Sequence, residues 1–111
     1  MRASPQRRET LLNEARRLAE QIGALGAVRV ILFGSVARGN ISLFSDIDLL
    51  ALFDDPRSPR ELTRWVYSVI DSSEGVDILA YSITDFERAR QRPFWKHALH
   101  HSQVIYERPT T

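Results

Sequence analysis

Three short, almost wholly apolar runs constrain this chain more than any other feature. Val28–Phe33 reads VRVILF, Ile47–Phe53 reads IDLLALF and Val76–Tyr81 reads VDILAY. The first, rich in β-branched residues, is the mark of a strand buried on both faces, because a half-exposed strand alternates apolar with polar side chains. The other two read as further strands, and Val104–Tyr106 as a short last one. Gly34-Ser35 breaks the first run, and Pro56 and Pro59 end the region of the second.

Helical patterns lie between the runs. Ser4-Pro5 precedes Leu11, Leu12, Ala15, Leu18, Ala19 and Ile22, which recur at spacings of three and four until Gly23 and Gly26 end the pattern. Ser58, with Pro59 next and Glu61 three residues on, has the spacing of a capping box. The helix it opens carries Leu62, Trp65, Val66, Val69 and Ile70 on one face. Thr84, with Glu87 three residues later, opens another helix towards His101, disturbed near Pro93. The order α-β-loop-β-α-β-α-β predicts an α/β (α+β) sandwich, a small mixed β-sheet with helices packed on it. The loop between the first two strands is too short for a crossover helix and allows antiparallel pairing. Strand order beyond that is not legible in the pattern.

At 111 residues the expectation is a single domain over residues 1–111. An apolar share of 43% and a charged share of 26% exclude a disordered chain. Cysteine is absent, which excludes disulfides and thiolate metal sites. No run approaches the roughly 18 apolar residues of a membrane span, and the Arg-rich start has no apolar leader, so the expected location is the cytoplasm, with no membrane partner. Net charge is only +1, but its distribution is uneven. Residues 1–38 hold seven Arg and three Glu, residues 39–87 three Arg and ten acids, and residues 88–111 five basic groups and one acid. An acidic middle between basic flanks suits a cation site with phosphate-binding groups nearby. Asp54 and Asp55, before Pro56, read as solvated loop acids.

The anomaly is the acids inside apolar strands. Asp46 and Asp48 are two apart, so on a strand both carboxylates point to one face, and Asp77 sits between Val76 and Ile78. Each acid alone has an ordinary explanation, a turn cap or an Arg partner. Together they should repel one another, and a divalent cation relieves that repulsion with the hard oxygen ligands Mg²⁺ prefers. Gly34 permits a tight turn, and the Ser35 hydroxyl and following N–H groups can hold phosphate oxygens. Residues 35–38 (SVAR) form the first turn of a short helix aimed at those phosphates in this reading. Arg38 is either a triphosphate ligand or a surface residue. Ser45 reads as a turn or supporting residue rather than a catalyst.

The stretch LFGSVARGNISLFSDIDLLALF resembles the signature of the DNA-polymerase-β-like nucleotidyltransferase superfamily: Gly-Ser, ten residues, then Asp-x-Asp, with a third acid in a later strand. Gly34, Ser35, Asp46, Asp48 and Asp77 match it, and Ala37–Gly39 (ARG) with the short length is most similar to the minimal nucleotidyltransferases of bacteria and archaea. The resemblance covers residues 28–107 and implies a polymerase-β-like palm as catalytic core. It implies two Mg²⁺ ions bridged by Asp46 and Asp48, one shared with Asp77, and an NTP (ATP) on Gly34-Ser35, with Arg38 and Ser45 as further nucleotide-binding candidates. AMP would pass to a hydroxyl, with Asp77 as an alternative acceptor of its proton. The implied partner is a HEPN-type helical toxin, adenylylated on tyrosine by this chain as antitoxin. The alternative is a nucleotide-binding antitoxin that neutralises by complex formation alone; a small-molecule or RNA acceptor is a third reading. Oligomeric state, homo-oligomer included, stays open.

Some residues fall outside that scheme. Ile41, Leu43 and Phe44 make the loop before Asp46 more apolar than the resemblance leads one to expect. His97 and His101, with His100 near them, are spaced to share a helix face and bind a metal, or to favour a helix C-terminus. Trp65, Tyr67, Phe94 and Trp95 are candidates for stacking on a base or partner; Trp65 reads rather as core, and Phe94-Trp95 as core or a partner-facing patch. Arg7, Arg8, Arg16 and Arg17 are interleaved with Glu9, Glu14 and Glu20, which predicts a solvated helix face rather than a nucleic-acid surface.

Overall fold

The computed structural model describes residues 4–110. Along the chain lie α1 (Pro5–Ala24), β1 (Ala27–Phe33), α2 (Gly34–Arg38), β2 (Ile47–Phe53), α3 (Pro59–Val69), β3 (Val76–Ser82), α4 (Ile83–Ala89), α5 (Pro93–His100) and β4 (Gln103–Glu107). The strands form one sheet in the order β3-β2-β1-β4. β1 pairs antiparallel with both β2 and β4, while β2 and β3 run parallel. The sheet is therefore mixed, with the antiparallel first pair that the short loop allowed.

Both faces are covered, which is why the strands are apolar on both. Leu11, Ala15, Leu18, Ala19 and Ile22 of α1 and Leu62 and Val66 of α3 pack on Val30, Leu32, Leu49, Ala51 and Phe53. On the opposite face Phe86 and Ala89 of α4 and Trp95 and Ala98 of α5 pack on Ile31, Phe33 and Leu50. Trp95 centres that second layer, edge-on to Phe33, Tyr81, Phe86 and Phe94 at 5.0–5.9 Å. Such edge-to-face contacts add to what burial alone contributes.

Local chemistry sets the helix starts. The Ser4 hydroxyl accepts from the Arg7 N–H at 3.2 Å, opening α1. At α3 the capping box is complete: the Ser58 hydroxyl accepts from Glu61 N–H at 3.2 Å and the Glu61 carboxylate from Ser58 N–H at 3.3 Å. Four details depart from the sequence reading. Gly23 lies inside α1, where a Cβ would collide with the Tyr106 ring, and the chain turns instead at Gly26, with φ +106°. The helix expected from Thr84 starts two residues earlier, since Ser82 ends β3 and its hydroxyl accepts from Asp85 N–H at 3.0 Å. That helix then divides into α4 and α5, because Arg92 takes the extended conformation that a following proline favours. Val69, expected on the buried face of α3, is 51% exposed at its last turn.

Among the described residues no helix is long and apolar enough to cross a membrane.

Candidate active site

The end of β1 meets the beginnings of β2 and β3 at one rim of the sheet. Phe33 pairs with Asp48, and Asp48 pairs in parallel register with Asp77. Residues opposite one another in a sheet project to the same side. Phe33, Asp48 and Asp77 therefore form a row across three strands, on the face covered by α4 and α5. Asp46 lies one step before β2, in phase with Asp48.

Two glycines make room for these carboxylates. Gly34 has φ +73°, a conformation that side chains resist, and a Cβ there would collide with Asp48 Oδ2 and stand 2.9 Å from its Cγ. Gly75 has ordinary φ, but a Cβ on it would collide with Asp46 Oδ1 and stand 3.2 Å from its Cγ. Its carbonyl accepts from Ile47 N–H at 3.0 Å, which ties the start of β2 to the loop before β3. Gly75 was not foreseen; its place directly before an acid-bearing strand was the available signal.

Asp48 is half-buried, while Asp46 and Asp77 are exposed. Burial pushes the Asp48 carboxyl above the usual carboxylate range, the nearby charges of Asp77 and Asp46 push it further, and Arg38 pulls it back. Arg38 is exposed on α2, within electrostatic reach of Asp48. Among the described residues no Arg or Lys forms an ion pair with any of the three acids, so the Arg-paired explanation of Asp48 and Asp77 is not realised. Nor, among them, is any trio of acids or histidines already closed into a cation cage. Among the described residues the rim thus offers hard oxygen donors without hydrogen-bond or ion-pair partners, two of them exposed, beside a carboxylate destabilised by burial and like charge. That donor set fits a divalent cation.

Gly34 and Ser35 begin the five-residue α2, closed by Gly39 at φ +77°, with Asn40 N–H donating to the Ser35 carbonyl at 3.0 Å. The following loop is a tight turn: Ser42 N–H donates to the Ser45 hydroxyl at 2.9 Å, and Phe44 N–H to the Ser42 hydroxyl at 3.2 Å. Ser45 thus holds the turn that delivers Asp46. Ile41 accounts for its apolarity by packing into the α1/α3 layer, whereas Leu43 and Phe44 stay in water, Phe44 at 90% exposure.

The remaining candidates fall elsewhere. Helix α5 ends at His100 and His101 caps it outside the helix, so His97 and His101 do not share a helical face. Trp95 is core and Phe94 is exposed beside it; Trp65 packs edge-on to Phe53, with the Arg57 guanidinium 4.2 Å above its ring. Arg7 pairs with Glu74 and Arg17 with Glu14, which occupies part of the basic set of α1 internally. Glu14, expected on a solvated face, is instead 6% exposed. A cleft of about 430 Å³ lined by Phe53, Asp54, Asp55, Ser82 and Asp85 lies at the opposite end of β2 and β3 from the acids.

The mixed sheet thus brings a Gly-Ser turn against an Asp-x-Asp strand, with a third carboxylate in register on the neighbouring strand. Residues 10–101 match the nucleotidyltransferase domain family, and the chain belongs to that family. It is also similar in fold to the crystal structure of a candidate nucleotidyltransferase from Sulfolobus solfataricus. The TM-score is 0.67 at 21% identity, over 91% of this chain and 84% of that one. No curated protein sequence matches the chain.

Proposed function

We propose that the protein transfers AMP from ATP to a hydroxyl of a partner protein, with divalent cations, two Mg²⁺, held by Asp46, Asp48 and Asp77. The observation that carries this reading is the in-register pair Asp48–Asp77, with Gly34 and Gly75 vacated for the carboxylates of Asp48 and Asp46. Bound Mg²⁺ would supply charge neutralisation at the triphosphate and a lowered pKa for the acceptor hydroxyl.

The chain's own groups supply the rest. Gly34 and Ser35 present backbone N–H groups and a hydroxyl to phosphate oxygens directly beside Asp48, with Arg38 adding positive charge from the same short helix. Ser45 keeps Asp46 in place through the turn it closes, and its hydroxyl is a further candidate for nucleotide contact. Asp77, the outermost of the row, is open to solvent and takes the side from which a hydroxyl can approach. The acceptor oxygen bonds to the α-phosphorus as the bond to the bridging oxygen of pyrophosphate breaks, and the hydroxyl proton leaves to Asp77 or to water. Positioning and electrostatics then account for catalysis, with no covalent enzyme intermediate. Leu43 and Phe44, exposed beside Asp46, support a protein acceptor, for which the resemblance implies a tyrosine of a HEPN-type helical toxin.

The test is to co-purify the chain with its partner, supply ATP labelled in the α-phosphate and Mg²⁺, and follow label and intact mass with wild type and Asp46→Asn. Label on the partner in the wild type alone is the expected result. Equal transfer by Asp46→Asn refutes the reading. Full neutralisation by an Asp46→Asn protein that transfers nothing assigns the role to complex formation.

A further inference from the structure

β3 is an outer strand, yet its free side is not open. The Tyr67 hydroxyl accepts from Ile78 N–H at 2.6 Å and donates to the Val76 carbonyl at 3.3 Å. One helical turn earlier on α3, the Thr63 hydroxyl accepts from Ala80 N–H at 3.0 Å and donates to the Ala80 carbonyl at 3.4 Å. Each hydroxyl satisfies one donor and one acceptor that the edge would otherwise leave to water. Protecting an edge from added strands is the ordinary use of such a device.

The two clasps differ in the residue they enclose. Thr63 grips the peptide groups on either side of Ala80, a buried residue without charge. Tyr67 grips the Val76–Asp77 and Asp77–Ile78 peptide groups. The only backbone torsions between those two planes are φ and ψ of Asp77, and these set the direction of its Cα–Cβ bond.

We propose that Tyr67 is a positioning residue for the third carboxylate: by holding both peptide planes that flank Asp77 it aims this exposed side chain along the row towards Asp48. The inference rests on the cation-binding role proposed for the three acids. Asp77 has no protein partner of its own among the described residues, so backbone restraint is what keeps it in reach of a shared cation. Groups that orient ligands from behind commonly govern affinity by one or two orders of magnitude.

The experiment compares Tyr67→Phe, Thr63→Val and Asp77→Asn in the full chain, with Mn²⁺ as the probe. Free Mn²⁺ is titrated by electron paramagnetic resonance in the presence of ATP, and urea unfolding is recorded for each variant. Tyr67→Phe and Thr63→Val each remove one hydroxyl clasp and are expected to lower stability by a similar amount. Tyr67→Phe is expected to weaken Mn²⁺ binding about tenfold, as a smaller version of the Asp77→Asn effect, while Thr63→Val stays within about twofold of wild type. Equal Mn²⁺ affinities for the two clasp variants, or equal self-association in both with cation binding intact, reduce Tyr67 to edge protection and overturn the proposal. Unchanged Mn²⁺ binding in Asp77→Asn is a different failure: it removes the cation role of Asp77, and the positioning role with it.

Discussion

Glu14 offers a sharp physical test, because one buried carboxylate joins two distant parts of the chain. Its oxygens accept from the Arg17 guanidinium at 2.6 and 2.7 Å, from Ser73 N–H at 2.6 Å and from the Ser72 hydroxyl at 3.3 Å. Arg17 and Gln21 both donate to the Asp71 carbonyl, completing the attachment of the loop before β3 to α1. Chiefly through the Arg17 hydrogen bonds, which outweigh the cost of burial, the Glu14 carboxyl is lowered from 4.5 to about 2. A shift of that size corresponds to about 3 kcal/mol. Arg17 is 46% exposed, and solvent screening of it reduces the figure to about 2 kcal/mol. Because the folded value is depressed, this stabilisation is complete above the unfolded carboxyl's 4.5 and disappears as pH falls towards about 2. Glu14→Gln should therefore lose about 2 kcal/mol in urea unfolding at pH 7, roughly 8 °C in Tm. The gap to wild type should shrink by about half at pH 3. A gap that is the same at pH 7 and pH 3 would mean that charge at Glu14 is not what holds the loop, and the reasoning fails.

Further outcomes follow from the site and the core. Mg²⁺ with ATP at a hundredfold excess over Kd should raise wild-type stability by about 2.7 kcal/mol in a thermal-shift assay. Asp48→Asn should remove that response while making the unliganded protein slightly more stable, because its ionised form is disfavoured by burial and like charge; a mutant that keeps the full shift refutes the role of Asp48. Gly34→Ala should cost about 1–2 kcal/mol through its positive φ and also displace Asp48, whereas Gly75→Ala should abolish transfer with little backbone strain, as Tm and label incorporation will show. Phe44→Ser should leave stability unchanged within about 0.5 kcal/mol and raise KM for the partner but not for ATP, measured in the labelled-transfer assay. Trp95→Ala should cost about 3–5 kcal/mol by calorimetry or urea titration, since its buried ring contacts four other aromatic rings.

Much of this was legible in the sequence, and the parts that were not share a cause. The Ser58-Pro59-x-Glu61 start of α3, the two-faced apolar strands and the convergence of Asp46, Asp48 and Asp77 all rest on spacings within one element, or on charge conspicuous against an apolar run. Glu14 looked like any surface glutamate on an amphipathic helix, because its partners Ser72 and Ser73 lie 58 and 59 residues away. Tyr67 and Gly75 were hidden for the same reason: an edge hydroxyl and a missing Cβ acquire meaning only once β3 stands beside β2. The break between α4 and α5 was signalled by Pro93, but Ser82 as the true cap was not, because β3 passes into α4 without an intervening loop.

Mixed strand direction has a consequence for how such a domain can be retargeted. Because β1 runs against β2 and β3, one rim gathers an outgoing strand end and two incoming ones, and the acids are approached by two separate connections. Residues 40–45 lead to Asp46 and Asp48, and residues 70–75 lead to Asp77. Lengthening or exchanging either connector reshapes what docks at the rim while the strands beneath keep their register. New acceptors are thus within reach of loop variation alone.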